Sequence, residues 1–169
     1  PATKMQSVAV TGTNGKTSVV QMLSQLTTAG GTRCAAVGTL GAGLFQGADT
    51  EWEPTPAGNT TPDAIRMQYL LAEFVQQEVR HTAFEASSHA LVQGRLQQVK
   101  TDVAVFTNLT RDHLDYHGGY APYQATKRRI FARMGSGDTL IVNGDDPIIA
   151  GWSLPDGPQI QTFSLRDPM

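Results

Sequence analysis

The sequence predicts an α/β fold, a mostly parallel sheet flanked by helices, and three observations predict it. Short apolar runs rich in Val, Ala and Phe alternate with stretches of helical periodicity, the order in which parallel strands and crossover helices follow one another along a chain. The first run leads directly into a Gly-containing turn and then an amphipathic stretch, a strand-turn-helix unit. At 169 residues, 40% hydrophobic and 17% charged, the chain can bury one proper core, whereas two domains would be cramped.

The first strand is expected at residues 7–11. A helix starts inside the turn that follows, with Val19, Met22, Leu23 and Leu26 at i, i+3, i+4 and i+7 forming one apolar stripe, and Gly30-Gly31 stops it. A second strand is expected at 33–38. Residues 40–60 are rich in Gly, Ala and Pro and lack periodicity, too long for an ordinary connection, so they form a functional loop or a small hairpin. The second helix takes Thr61 as N-cap, Pro62 as first helical residue and Asp63 in the first turn, with Met67, Leu70, Leu71, Phe74 and Val75 facing inward. Strands at 81–85 and 102–108 follow. The third helix, at 122–133, has a stripe of Tyr123, Lys127, Ile130 and Phe131, with a lysine where an apolar residue belongs. The last expected strand is 138–143.

Composition narrows the function. A net charge of -2, with no basic run longer than Lys127-Arg128-Arg129, leaves little to recruit a nucleic-acid backbone. The sole cysteine, Cys34, cannot form an intrachain disulfide or a cysteine-based metal site, and a reducing cytoplasm is expected. No stretch approaches the roughly 18 apolar residues of a membrane span, and the N-terminus lacks the order of a signal peptide. The first strand begins within a few residues of Pro1, and Asp167-Pro168-Met169 has no capping element, so both ends are expected to be cut from something longer.

The turn Thr11-Gly12-Thr13-Asn14-Gly15-Lys16-Thr17 is the expected nucleotide site. A strand entering a Gly turn and then a helix gathers backbone amides and the positive helix end around one point, which suits a polyphosphate. Lys16 would reach the outer phosphates, and the Thr17 hydroxyl would ligate a bridging magnesium. Val10 stands where the general motif has its first glycine. In an open parallel sheet, ligands bind beyond the carboxyl ends of the strands, which singles out Glu85–His89 and Asn108–His117. Glu85 ends an apolar run, so it either meets a cation such as magnesium or pairs with Arg95 or Arg111. His113 and His117 are ligands or ordinary loop histidines, and Lys127 is either drawn inward by a function or snorkels to water.

Taken together, the turn, Asn59-Thr60-Thr61-Pro62-Asp63, Glu85-Ala86-Ser87-Ser88-His89-Ala90-Leu91 with Gln93 and Arg95, the run from Phe106 to Gly118, Lys127, and Asn143-Gly144-Asp145-Asp146 resemble the Mur ligases. The resemblance covers Val8 to Asp146, in the order and spacing of that family's central, P-loop nucleotide-binding domain. Folylpolyglutamate and cyanophycin synthetases share the turn but lack the combination of Arg111-Asp112-His113-Leu114-Asp115-Tyr116-His117-Gly118 with Glu85-Ala86-Ser87-Ser88-His89. The resemblance implies an ATP-dependent acid–amino-acid ligase of peptidoglycan synthesis, adding the third amino acid to UDP-N-acetylmuramoyl-dipeptide through an acyl phosphate.

Residue by residue, the resemblance implies that Gly12, Thr13, Asn14, Gly15, Lys16, Thr17 and Ser18 bind ATP. Thr17, Glu85, His113 and Lys127, the last as a carbamate, would hold magnesium. Lys16, Lys127 and His113 would serve catalysis. Asn59, Thr60, Thr61, Ser87, Gln93 and Arg95 would grip the UDP-muramoyl substrate. It further implies that residues 1–169 are a single, incomplete central domain, the N-terminal UDP-binding and C-terminal domains lying outside it. The alternatives are a related ligase with a folate or cyanophycin-type acceptor, or a non-catalytic nucleotide-binding fragment.

Overall fold

The computed structural model describes residues 2–47 and 52–166. After a 3-10 turn, Ala2–Lys4, the elements are β1 (Gln6–Thr11), α1 (Lys16–Ala29), β2 (Cys34–Gly38), β3 (Gly41–Phe45), α2 (Ala64–Gln76), β4 (His81–Glu85), α3 (Ser88–Val92), β5 (Val103–Phe106), α4 (Leu114–His117), α5 (Tyr120–Arg128), a 3-10 turn at Arg129–Arg133, β6 (Thr139–Asn143), α6 (Pro147–Ala150) and β7 (Gln159–Phe163). The strands form one sheet in the order β3-β2-β4-β1-β5-β6-β7. Every pairing is parallel except β2 with β3.

The alternation of side chains along each strand divides the core in two. On one face, Ala9, Ala35, Val37, Phe84, Ala104, Phe106, Leu140 and Val142 pack with Met67, Leu70, Leu71 and Phe74 of α2 and with Tyr123, Ile130 and Phe131. On the other, Val10, Ala36, Ala83 and Val105 meet Val20 of α1. The chain steps from β1 past β4 to reach β2, and from β4 past β1 to reach β5. These two departures open a crevice at the carboxyl end of β1, where such sheets hold ligands.

Several expectations need correction. The apolar stripe on α1 is half right: Val19 and Leu23 pack against the core, but Met22 and Leu26 are 61% and 71% exposed, and the fully buried positions are Val20 and Ser24. In α2 the N-cap is Asp63, whose carboxylate accepts from the amides of Ile65 and Arg66, and helix begins at Ala64. Thr61 is instead fully buried and bonded to the end of β4. Met67, Leu70, Leu71 and Phe74 are buried as expected, with Val75 half-buried. The third helix starts earlier, at Tyr120, and tightens into a 3-10 turn from Arg129, but Tyr123, Lys127, Ile130 and Phe131 are all buried.

The stretch after Leu40 contains β3, which folds back on β2 and is tied to Thr55 through Ala42. Residues 48–51 of that stretch lie outside the described residues. The strand expected to reach 108 ends at Phe106 because Thr107 and Asn108 turn away to hold the glycine turn. Among the described residues no helix is long and apolar enough to cross a membrane.

Candidate active site

The turn after β1 is held from the side by the segment after β5. The amides of Thr13 and Asn14 donate to Asn108 (to its carbonyl and Oδ1, both 2.9 Å), while Thr107 Oγ1 donates to the Asn14 carbonyl at 2.6 Å. Gly12 makes this approach possible. Its φ is +140°, and a Cβ there would lie 2.0 Å from Thr107 Oγ1. Thr13 Oγ1 accepts from the Thr110 amide at 2.9 Å and lies 3.0 Å from the buried Tyr123 hydroxyl. Burial pushes that phenol up to about 12, so it remains a neutral hydrogen-bonding group. Gly15, with φ +84°, then starts α1 in a conformation that costs glycine little.

Two lysines converge on the same carbonyl. Lys127 Nζ, on α5, donates to Gly12 O at 2.7 Å, and Lys16 Nζ donates to Gly12 O at 3.1 Å and Thr13 O at 2.8 Å. Lys127 is only 2% exposed, so it does not snorkel to water. Burial, with Lys16 adding to it, pushes the Lys127 ammonium from the ordinary 10.5 to about 7. Burial also lowers Lys16, against the opposing pull of Glu85 and Asp112. A lysine held near neutrality is a nucleophile at physiological pH, unlike an ordinary surface lysine.

Glu85, 1% exposed at the end of β4, pairs with neither Arg95 nor Arg111. It accepts instead from Thr17 Oγ1 at 2.9 Å, from the Thr39 amide at 2.8 Å and from Thr39 Oγ1 at 3.3 Å. Among the described residues no ion pair joins Glu85, Lys16 or Lys127 to an opposite charge. A buried carboxylate beside a hydroxyl offers hard oxygen donors of the kind magnesium takes. No cluster of three or more His, Cys, Asp or Glu suited to a metal occurs among the described residues. A metal here would therefore share its coordination between few protein groups and a phosphate-bearing ligand.

Thr13, Asn14, Gly15, Lys16, Thr17, Thr39, Asn59, Thr60, Thr61, Glu85, Ser87, His89, Arg95, Asp112, His113 and Lys127 line one cleft of about 550 Å³. The sequence expectations are thus largely brought together. Three fall off the cleft wall: Gly12 lies beneath it, Ser18 is exposed on α1, and Gln93 stands behind Arg95. Thr61 Oγ1 donates to the Glu85 carbonyl at 2.7 Å and accepts from the Ser87 amide at 3.0 Å, which fixes the two segments together. His113 has φ +49° and lies 3.4 Å from the Asp112 carboxylate and 4.8 Å, ring to ring, from His89. Burial, and then neighbouring cations, lowers both His89 and His117, which favours their neutral forms.

Thr39 and Tyr123 were missed as site residues. Thr39 had a usable signal, since it follows the carboxyl end of β2 as Ala86 to His89 follow that of β4. Tyr123 reads as core in any sequence pattern, because its hydroxyl partner is 110 positions away.

A family profile described as Mur ligase middle domain matches residues 10–169. The UDP-N-acetylmuramoyl-L-alanyl-D-glutamate--2,6-diaminopimelate ligase of Xanthomonas campestris pv. campestris is 49% identical over 146 residues, 86% of this chain and 28% of that protein. The enzyme of the same name from Xanthomonas oryzae pv. oryzae is 49% identical over 169 residues, 100% of this chain and 31% of that protein. A solved structure of a ligase of that name superposes with a TM-score of 0.80 at 36% identity, covering 96% of this chain and 32% of the other. E. coli FolC, in complex with DHPP and ADP, has the same fold with a TM-score of 0.60 at 20% identity, covering 93% of this chain and 42% of its own. The chain spans less than a third of the length of these curated relatives. With the glycine turn, the paired lysines and the buried glutamate on one cleft, and the profile matching from the end of β1 onward, the chain belongs to the Mur ligase family, within its middle domain.

Proposed function

We propose that this chain is the ATP-binding core of a cytoplasmic ligase that adds the third amino acid to UDP-N-acetylmuramoyl-dipeptide in peptidoglycan synthesis. The names of the relatives support diaminopimelate as the incoming amino acid. The observation that carries the reading is the convergence of Lys16 and Lys127 on Gly12 O, beside the Glu85–Thr17 hydrogen bond. On this reading the uridine-holding and amino-acid-selecting domains lie outside these residues.

The reaction must bring two anions together, a carboxylate and the terminal phosphate of ATP. The carboxylate oxygen attacks the γ-phosphorus, the bond to the bridging oxygen breaks, and ADP leaves; the amine then attacks the acyl carbon, phosphate leaves and a proton is released. The backbone amides at the start of α1 orient the phosphates, those of Thr13 and Asn14 being engaged by Asn108, and Lys16 swings from its own turn to neutralise charge on the transferred group. Thr17 and Glu85 would hold a magnesium ion, with His113 beside a second. Such ions offset phosphate charge when bound.

Lys127 fits a carbamate. About half of its amine is unprotonated at pH 7, the form that attack on carbon dioxide requires, and the product is an anion able to face a cation. The adduct forms a nitrogen–carbon bond and releases one proton. Thr60, Thr61, Ser87 and Arg95, with Asn59 at the rim, then face the acceptor across the cleft from the turn.

The test is phosphate release by a ligase of full family length carrying this domain. It is expected only when ATP, the UDP-muramoyl-dipeptide and an amino acid are all present. Equal release with a folate or cyanophycin-type acceptor would replace the muramoyl assignment.

A further inference from the structure

Arg95 carries five N–H donors, and three are already engaged. Nε and Nη2 donate to Gln93 Oε1 at 2.8 and 2.6 Å, and Nη1 donates to the Thr61 carbonyl at 2.6 Å. The side of the guanidinium is therefore closed by Gln93. What remains is one N–H on each terminal nitrogen, donors suited to the oxygens of a carboxylate or phosphate. Arg95 lines the cleft and Gln93 does not.

Gln93 is in turn held. An amide can present its oxygen to Arg95 only if its nitrogen faces the other way, and Gln93 Nε2 donates to the Tyr116 hydroxyl at 3.0 Å. Tyr116 belongs to α4, in the segment after β5, whereas Gln93 and Arg95 follow β4. The Tyr116 ring packs on His89 at 4.1 Å between centroids, and His89 lies edge-on to His113. A hydrogen-bonded chain Tyr116–Gln93–Arg95–Thr61 thus links the segment bearing His113 to the opposite wall of the cleft.

We propose that Tyr116 is a positioning residue that acts through Gln93 to aim the remaining N–H donors of Arg95 at an anionic group of the acceptor. This rests on the acceptor-binding role proposed above for that wall of the cleft. Removing the Tyr116 hydroxyl takes away the acceptor that anchors Gln93 Nε2, so the Gln93 side chain is no longer fixed and its brace on Arg95 loosens. The guanidinium then loses its orientation while the fold is untouched, because Tyr116 is 46% exposed.

The experiment follows two signals in a ligase of full family length carrying this domain and in its variants Tyr116→Phe, Gln93→Met and the double variant: the Arg95 Nε–H resonance, and affinity for UDP-muramoyl-dipeptide by calorimetry. Tyr116→Phe is expected to shift and broaden the resonance and to weaken the dipeptide about five- to tenfold, the effect of one polar hydrogen bond, with an unchanged melting temperature. The double variant should be no weaker than Gln93→Met alone, since both act through Arg95. An unchanged resonance in Tyr116→Phe, or additive losses in the double variant, would overturn the proposal. If the parent ligase does not take up the dipeptide, the acceptor reading fails, while the resonance still decides whether Tyr116 orients Arg95.

Discussion

The two ends of the sheet treat charge in opposite ways. At the amino end, Asp102 accepts from the Ser7 amide and hydroxyl and pairs with Lys100, so a partly buried carboxylate has donors on every side. Burial alone would raise that carboxyl, but Lys100 and Ser7 outweigh it and hold it below the usual range. At the carboxyl end, two lysines share one backbone oxygen, and Glu85 is satisfied by neutral donors alone. Burial lowers both lysines because no carboxylate lies close enough to compensate. One end closes its charges within the fold and is built for stability. The other leaves like charges together, an arrangement that costs stability and is relieved by an anionic ligand.

The contrast can be broken most directly at Lys127. In the full-length ligase, Lys127→Ala is expected to lower the turnover by about 100- to 1,000-fold, the scale for removing one preorganised charge. Formate or acetate should restore part of it by supplying the missing carboxylate, and full activity without them would end the carbamate reading.

Stability against pH sharpens the same point. Between about 7 and 10.5 the unfolded chain holds a proton on Lys127 that the folded chain does not, so stability rises with pH across that window. In carbon-dioxide-free buffer, Lys127→Met should flatten the rise and be the more stable protein at pH 6, by on the order of 4 kcal/mol. Urea unfolding at pH 6 and pH 9 measures both.

Gly12→Ala tests how tightly the carboxyl end is stapled. The added methyl would meet Thr107 Oγ1, and the variant should lose about 2–3 kcal/mol, with nucleotide affinity falling in parallel. A variant as stable as the parent would mean the turn can move away from β5 freely.

The smallest effect belongs to the amino end. Asp102→Asn should cost about 1 kcal/mol at pH 7. Because the folded carboxyl is depressed, its contribution is present above the unfolded value of 3.8 and is lost as pH falls through the folded one, so parent and variant converge in acid. No ligand should alter this difference, whereas a polyphosphate should alter the behaviour of Lys127.

Much of this was legible beforehand, and for a common reason. Four of the five expected strands are runs largely buried from both faces, and the fifth, β6, is an apolar run that alternates buried and half-buried positions, so composition marks them all. β3 was legible only as one of two alternatives, a functional loop or a small hairpin, and β7 was not legible. The first is Gly-rich, and the second is exposed at all five positions, so neither carries an apolar signature. Lys127 was legible as an anomaly because a lysine on an apolar stripe contradicts its neighbours. The face of α1 was half misread because Met22 and Leu26 are apolar without being inward.

By itself the sequence determined the α/β class, the glycine turn and which polar residues stand at strand ends, since these depend on local pattern and on chain order. Only the tertiary structure decided that Lys16 and Lys127, 111 positions apart, meet at Gly12 O, that Glu85 faces Thr39 and Thr17 rather than an arginine, and that Tyr116 reaches Gln93. Those partners are chosen by strand order in the sheet: placing β1 between β4 and β5 brings three remote loops to one edge, and no local periodicity records that order.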